Sequence, residues 1–313
     1  MIEGSKVLIT GHTGQVGAAV ARAWARKCDM WGLARYTRAG SLEETQGIGV
    51  RPIKGDFASG DLAEVPDDFD YVLHFAANTK PGTAEIGMVQ NAEGTALLLH
   101  HCRRAKAFLH VGATGCYMDN PDPYHVYAET DNLGGQTLFS PNYGATKIAA
   151  EGVVRALARI YDIPVTIARL DVSYGGPYDD GGLPGNQLSA LVAGHPIRLP
   201  TRPCMHSPVH EDDLCDQIPA LLKAASVPAT IVNWGGAEAV NAIDWVNYLG
   251  EITGLTPDII LTDDMPLPNC ITDTRRGLEI GLQWKVDWRS GMRRMVQARH
   301  PEITLTGSPD VNQ

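Results

Sequence analysis

Val7-Leu8-Ile9-Thr10-Gly11-His12-Thr13-Gly14-Gln15-Val16-Gly17 is a short apolar strand that runs straight into a loop with glycine at every third position. A helical pattern follows over 18–27. Glycines in such a loop let backbone approach a pyrophosphate, and the helix behind it turns its unpaired N–H groups toward the anion. A glycine triplet alone is weak evidence, but the strand before it and the helix after it specify a dinucleotide site. Gly11, Gly14 and Gly17, with Thr13, Gln15 and Val16 between them, are therefore candidate cofactor contacts.

The next strand, 29–35, ends in Ala34-Arg35, with Arg38 close behind. An NAD site usually carries an acid there for the ribose hydroxyls. Its place is taken by Ala34, and an arginine suits a 2′-phosphate by charge and by bidentate geometry. NADP is the expected cofactor, with NAD open as the alternative. Further along, Asp56 and Phe57 follow the strand 50–54 and are placed near the adenine. A strand over 71–77 ends in Ala76-Ala77-Asn78, small enough for a cofactor to lie against backbone. The stretch 86–102 reads as a helix with Leu97, Leu98 and Leu99 toward the sheet. Adjacent His100 and His101 read as surface residues, not ligands. Strands alternate with helices up to Leu170, which predicts a parallel, doubly wound sheet.

Within that frame Tyr143-Gly144-Ala145-Thr146-Lys147 opens a helix, with Ser140 as the expected N-cap and Pro141 at its first position. Tyr143 and Lys147 lie four apart, on one face. A nearby cation favours a phenolate, so the pair forms a proton-exchange device for an alcohol or a carbonyl.

The chain has 313 residues, 44% hydrophobic and 20% charged, with a net charge of -10 and no basic run. Nucleic acid and anionic membrane surfaces are thus unexpected partners. The six cysteines show no paired spacing, which suits reduced thiols in a cytoplasmic protein and argues against a metal site. No leader or membrane span is expected. After Leu170 the chain turns loop-rich. The expected organisation is a dinucleotide-binding domain over 1–170 with a return segment about 209–235. A smaller substrate-binding region is expected over 171–208 and 236–313.

The glycine loop together with Tyr-x-x-x-Lys resembles the extended short-chain dehydrogenase/reductases, the NAD(P)-dependent epimerase/dehydratase family. Further matching blocks are His74-Phe75-Ala76-Ala77, Arg169-Leu170-Asp171-Val172-Ser173-Tyr174-Gly175 and Val209-His210-Glu211-Asp212-Asp213. The resemblance implies a Rossmann-type sheet with a smaller C-terminal substrate-binding region; relatives often pair through a two-helix contact, which leaves a homodimer open for this chain. It makes Tyr143 the acid/base. Lys147 would bind the nicotinamide ribose and depress the tyrosine's pKa.

A hydroxyl at the end of the strand before Tyr117 would polarise the substrate oxygen, but its usual place holds Ala113. Either Thr114 serves instead, or Tyr143 works without a partner. Nucleotide-sugar members commonly carry an arginine shortly before the block that matches Val209-His210. His206 stands about there, with Arg202 nearby. Thr114, Tyr143, Tyr174 and His206 are the expected substrate contacts. The leading expectation is an NADP(H)-dependent oxidoreductase acting on a small carbonyl or alcohol. The alternatives are a nucleotide-sugar epimerase or dehydratase with tightly held NAD(P), and a non-catalytic NADP-binding regulatory protein.

Overall fold

Seven strands form one sheet: β1 (Lys6–Thr10), β2 (Asp29–Ala34), β3 (Arg51–Lys54), β4 (Tyr71–His74), β5 (Ala107–Ala113), β6 (Val165–Leu170) and β7 (Thr230–Trp234). They lie in the order β7-β6-β5-β4-β1-β2-β3, and every pairing is parallel. The chain steps outward from β1 to β3 and then returns to β4 on the other side of β1. Where the direction reverses, the connections leave opposite faces and open a crevice at the strand C-termini. The computed structural model describes residues 2–135, 142–178, 182–264 and 267–307. The expected cap Ser140-Pro141 lies outside them. Among the described residues no helix is long and apolar enough to cross a membrane.

Both faces of the sheet are covered, so its strands are apolar almost throughout. Along β1, Val7 and Ile9 join Val20, Trp24, Leu214 and Ile218 in one layer. Leu8 points the other way, to Leu98, Leu99, Phe108 and Val154. A third cluster around Leu188, Trp245, Val246, Met292 and Met295 lies outside these two layers.

Two helices differ from the sequence reading. The first begins at Gln15, inside the glycine run. A Cβ on Gly17 would lie 2.3 Å from the Gly11 carbonyl oxygen, so only glycine lets the first helical turn fold onto the loop. The stretch expected as one helix over 86–102 is Ala84–Gly87, a wide π turn Met88–Glu93, and Gly94–His101. Leu98 and Leu99 are buried, but Leu97 faces outward at 40% exposure. Three consecutive helical residues sweep about 200° and cannot share a face.

The helix Tyr143–Tyr161 is fixed to the sheet by charge as well as by apolar packing. The Arg169 Nε and Nη2 atoms donate to the two Glu151 carboxylate oxygens at 3.0 and 2.7 Å. The Arg169 Nη1 donates to the Tyr117 hydroxyl and to the Glu129 carbonyl, both at 3.0 Å. Glu151 and Arg169 are both buried. Glu151 follows Lys147 by one turn, so the bridge sets the height of the Tyr143–Lys147 face above the strand ends. Removing one side strands the other charge in the interior, which typically costs about 3–5 kcal/mol. Arg169→Ala is therefore expected to lower the urea midpoint by a loss of that size, and an unfolding curve within about 1 kcal/mol of wild type would refute this.

Candidate active site

A cavity of about 900 Å³ opens at the switch point and reaches from the glycine loop past Tyr143 and Lys147 to the segment 267–270. Gly11, Thr13, Gly14, Gln15, Val16 and Gly17 all line it. Gly11 has φ +74°, and a Cβ there would meet the Ala76 nitrogen at 2.6 Å. The loop thus lies against the chain that leaves β4, where Ala76, Ala77 and Asn78 form the next part of the wall. Asn91, in the π turn, holds that wall: its Oδ1 accepts from the Asn78 N–H at 2.7 Å. Its Nδ2 donates to the Asn78 carbonyl and to Thr146, on the Tyr143 helix. The open glycine cradle ahead of a helix N-terminus fits a dinucleotide phosphate.

At the far end of this half, Ala34, Arg35, Asp56 and Phe57 line the cavity. Arg35 is exposed, and among the described residues no hydrogen bond or ion pair holds it. Arg38 does not line the cavity; its guanidinium grips the Glu44 carboxylate at 2.9 and 2.5 Å. A cofactor role for Arg38 would have to displace this carboxylate. The Asp56 side chain caps the turn behind it by accepting from the Ala58 N–H at 3.0 Å.

Tyr143 and Lys147 line the same space, as their spacing requires. Their electrostatics differ from expectation. Burial pushes the Tyr143 phenol up to about 12. Burial likewise pulls the Lys147 ammonium down to about 8, and its Nζ donates to the Val111 carbonyl at 2.7 Å. In this state Lys147 does not depress the tyrosine, and desolvation prevails over the cation. At neutral pH the phenol keeps its proton and is a donor.

Thr114 lines the cavity, but its hydroxyl is already committed. It donates to Asp171 Oδ1 at 3.0 Å, while Asp171 Oδ2 accepts from the Ser207 N–H at 2.8 Å. A hydroxyl has one proton and here a buried carboxylate takes it, so the expected part of Thr114 at the substrate oxygen would require this bond to be given up. Ala113 lines the cavity too and has no hydroxyl to offer. His206 is buried with its Nδ1 3.5 Å from Asp171 Oδ1. Burial alone would lower its pKa, but the Asp171 carboxylate, and after it the Cys204 side chain, raise it to about 10. Asp171 and His206 therefore stand as a carboxylate–imidazolium pair in the cavity wall. Tyr174, expected to touch substrate, is fully buried against Gly291 and Trp288 and does not line the cavity. That role is corrected: the ring belongs to the C-terminal core.

The sequence reading missed Asp171, His12 and the wall at Asn269 and Cys270. Asp171 lies within the block 169–175, but its partner is 35 residues away and no spacing links them. Asp171→Asn is expected to leave His206 with its burial and only Cys204 to oppose it, so its pKa should fall from about 10 to neutral or lower. An imidazole NMR titration reads this directly, and a His206 that stayed protonated above neutral pH would overturn it.

The sequence profile of the NAD dependent epimerase/dehydratase family matches residues 7–235. A trifunctional UDP-glucose 4,6-dehydratase/UDP-4-keto-6-deoxy-D-glucose 3,5-epimerase/UDP-4-keto-L-rhamnose-reductase of Arabidopsis thaliana is 24% identical over 313 residues, taking in 93% of this chain and 46% of that protein. The chain spans about half the length of this relative and of a second Arabidopsis thaliana enzyme of the same description. A dTDP-glucose 4,6-dehydratase of Mycolicibacterium smegmatis is 27% identical over 270 residues, 81% of this chain and 79% of the relative. Among solved structures, a UDP-N-acetylglucosamine 4-epimerase from Methanobrevibacter ruminantium superposes with a TM-score of 0.84 at 14% identity, over 96% of this chain and 100% of that one. A Thermus thermophilus UDP-glucose 4-epimerase, solved with NAD, gives 0.81 at 19% identity over 95% and 99%. These two likenesses are of fold. Taken with the glycine cradle and the Tyr143–Lys147 face, the profile match settles the kinship: the chain belongs to the NAD-dependent epimerase/dehydratase family of the extended short-chain dehydrogenase/reductases, a family of NAD(P)-dependent enzymes.

Proposed function

We propose that this protein is a nucleotide-sugar-modifying enzyme of the epimerase/dehydratase type, which oxidises a sugar hydroxyl and returns the hydride within one turnover. The observation that carries the reading is the single cavity in which the glycine cradle, Tyr143 and the 267–270 wall face one another. The relatives named above, dehydratases and epimerases of nucleotide sugars, support it. It replaces the small-carbonyl oxidoreductase as the first reading.

Bound NAD(P) supplies the hydride acceptor and donor. Tyr143 takes the hydroxyl proton as the sugar is oxidised and gives it back as the keto group is reduced. Lys147, close to neutral in pKa, is the group placed to hold the nicotinamide ribose once it leaves Val111. NADP is the cofactor we propose, on the strength of Ala34 and the unengaged Arg35.

One observation favours the small-carbonyl reductase as a second reading. His206 is paired with Asp171, and Arg202 lies 3.6 Å from Asp119 and does not line the cavity. Neither offers the cavity an unpaired cation for a diphosphate. The two readings separate on cofactor balance. With UDP-glucose or dTDP-glucose, the first expects product by NMR with no net change in nicotinamide absorbance. One cofactor consumed per carbonyl reduced, with neither UDP nor dTDP bound, would instead establish the second.

The pH dependence separates them too. A cycle that begins by oxidation needs the phenolate, so its rate should rise with pH toward the Tyr143 value near 12. A reduction uses the phenol and should hold its rate through neutral pH. In either case Tyr143→Phe should bind cofactor normally and lose roughly 10²–10⁴ in turnover. A wild-type rate from that variant would remove Tyr143 from the mechanism.

A further inference from the structure

The residue that follows Arg35 adopts an unusual backbone. Tyr36 has φ +50°, one of three positive-φ non-glycine residues among those described. Such a conformation is uncommon away from glycine and persists where the surroundings hold it. What holds Tyr36 is its hydroxyl. It donates to the Gly32 carbonyl, four residues back in β2, at 2.8 Å, and lies 3.0 Å from His12 Nε2. The two rings meet edge-on with centroids 5.8 Å apart.

The hydroxyl proton in this contact can be assigned. Burial pushes the Tyr36 phenol up to about 12, so its hydroxyl keeps its proton, and that proton goes to Gly32. The contact to His12 Nε2 gives the same hydroxyl a second partner. Burial pulls the His12 pKa down to about 4, so its ring is neutral. The fit also demands glycine at position 32, where a Cβ would lie 2.6 Å from His12 Cε1 and Nε2. His12 belongs to the glycine loop, so the contact ties the phosphate cradle to the chain that carries Arg35.

We infer that Tyr36 and His12 form a latch that turns the chain after β2 and holds Arg35 on the cavity rim, making them positioning residues for recognition of the cofactor's 2′-phosphate. The inference rests on the NADP reading of Arg35. The latch places one cation on the rim, whereas Arg38, three residues from Arg35, is taken up by Glu44. Tyr36 touches no phosphate itself; it acts by limiting where Arg35 can go.

The test is a fluorescence titration of the full chain with NADPH and with NADH. Arg35→Ala should weaken NADPH roughly tenfold to a hundredfold, because it removes a charge-assisted contact that only this cofactor makes. Tyr36→Phe, which keeps the ring and deletes the hydroxyl, should weaken NADPH roughly threefold to tenfold and leave NADH within about twofold. In the Arg35→Ala background, Tyr36→Phe should add less than about twofold, since it acts through the arginine.

Thermal melts check that each variant is folded. Should Tyr36→Phe not fold, His12→Leu breaks the same contact from the other side, and the NADPH/NADH ratio is read there. His12→Gln keeps a hydrogen-bonding partner for the hydroxyl and should retain the wild-type ratio. Equal weakening of both cofactors by Tyr36→Phe would overturn the latch while leaving the NADP reading intact. A wild-type preference for NADH, or equal losses from Arg35→Ala, would defeat the NADP reading and the latch with it.

Discussion

The buried Glu151–Arg169 bridge is the contact on which the site's geometry rests. A nineteen-residue helix that packed on the sheet through Val154 and Ala158 alone could slide or rotate by a fraction of a turn at little cost. Two directional charge-assisted hydrogen bonds from a strand remove that freedom. Arg169 sits in β6, and its remaining nitrogen reaches Tyr117, whose hydroxyl donates to Asn233 in β7 at 2.5 Å. The guanidinium also stacks over the Tyr117 ring, 4.9 Å from its centroid. One interior cation thus connects the Tyr143 helix, two strands and the loop that follows β5. A buried ion pair is weak evidence of net stability, because desolvation offsets its attraction. Its contribution here is position.

With the helix fixed, the charges in the cavity divide into two unlike halves. Around the cofactor cradle the wall is backbone and small side chains, with Arg35 at its rim. Around the reacting end the ionisable groups are hydrogen-bonded or ion-paired: Lys147 to Val111, Thr114 to Asp171, and Asp171 to His206. Tyr143 is the side chain there with a proton to give, since Ala113 has no hydroxyl and the Thr114 hydroxyl points into a carboxylate. This departs from an arrangement in which a second hydroxyl shares the substrate oxygen. Low dielectric makes each of these partnerships strong and holds it in one polarity.

The sequence by itself determined the fold and the cofactor cradle, because both are set by local chemistry. Gly11, Gly14 and Gly17 announce a backbone that must come close to something, and the apolar strand before them says where. Lys147 lies one turn from Tyr143 in any helix, so the pairing needed no tertiary information. The absence of an acid at Ala34 was equally visible, being a matter of one position at a strand end.

Only the tertiary structure decided what those side chains do, because pKa and hydrogen-bond direction depend on neighbours distant in sequence. Tyr143 and Lys147 are adjacent by spacing, yet burial governs both, and the ammonium turns to a carbonyl on another strand. Thr114 carried the right chemistry in nearly the right place until Asp171, 57 residues on, took its proton. Tyr174 read as a substrate contact within its block, but the helix Trp288–Arg299 covers it. Arg35 and Arg38 were indistinguishable by composition, and a glutamate six residues beyond Arg38 separates them. His12 carried no signal at all: a histidine among glycines acquires meaning when a chain reversal on the neighbouring strand brings a tyrosine hydroxyl to its ring.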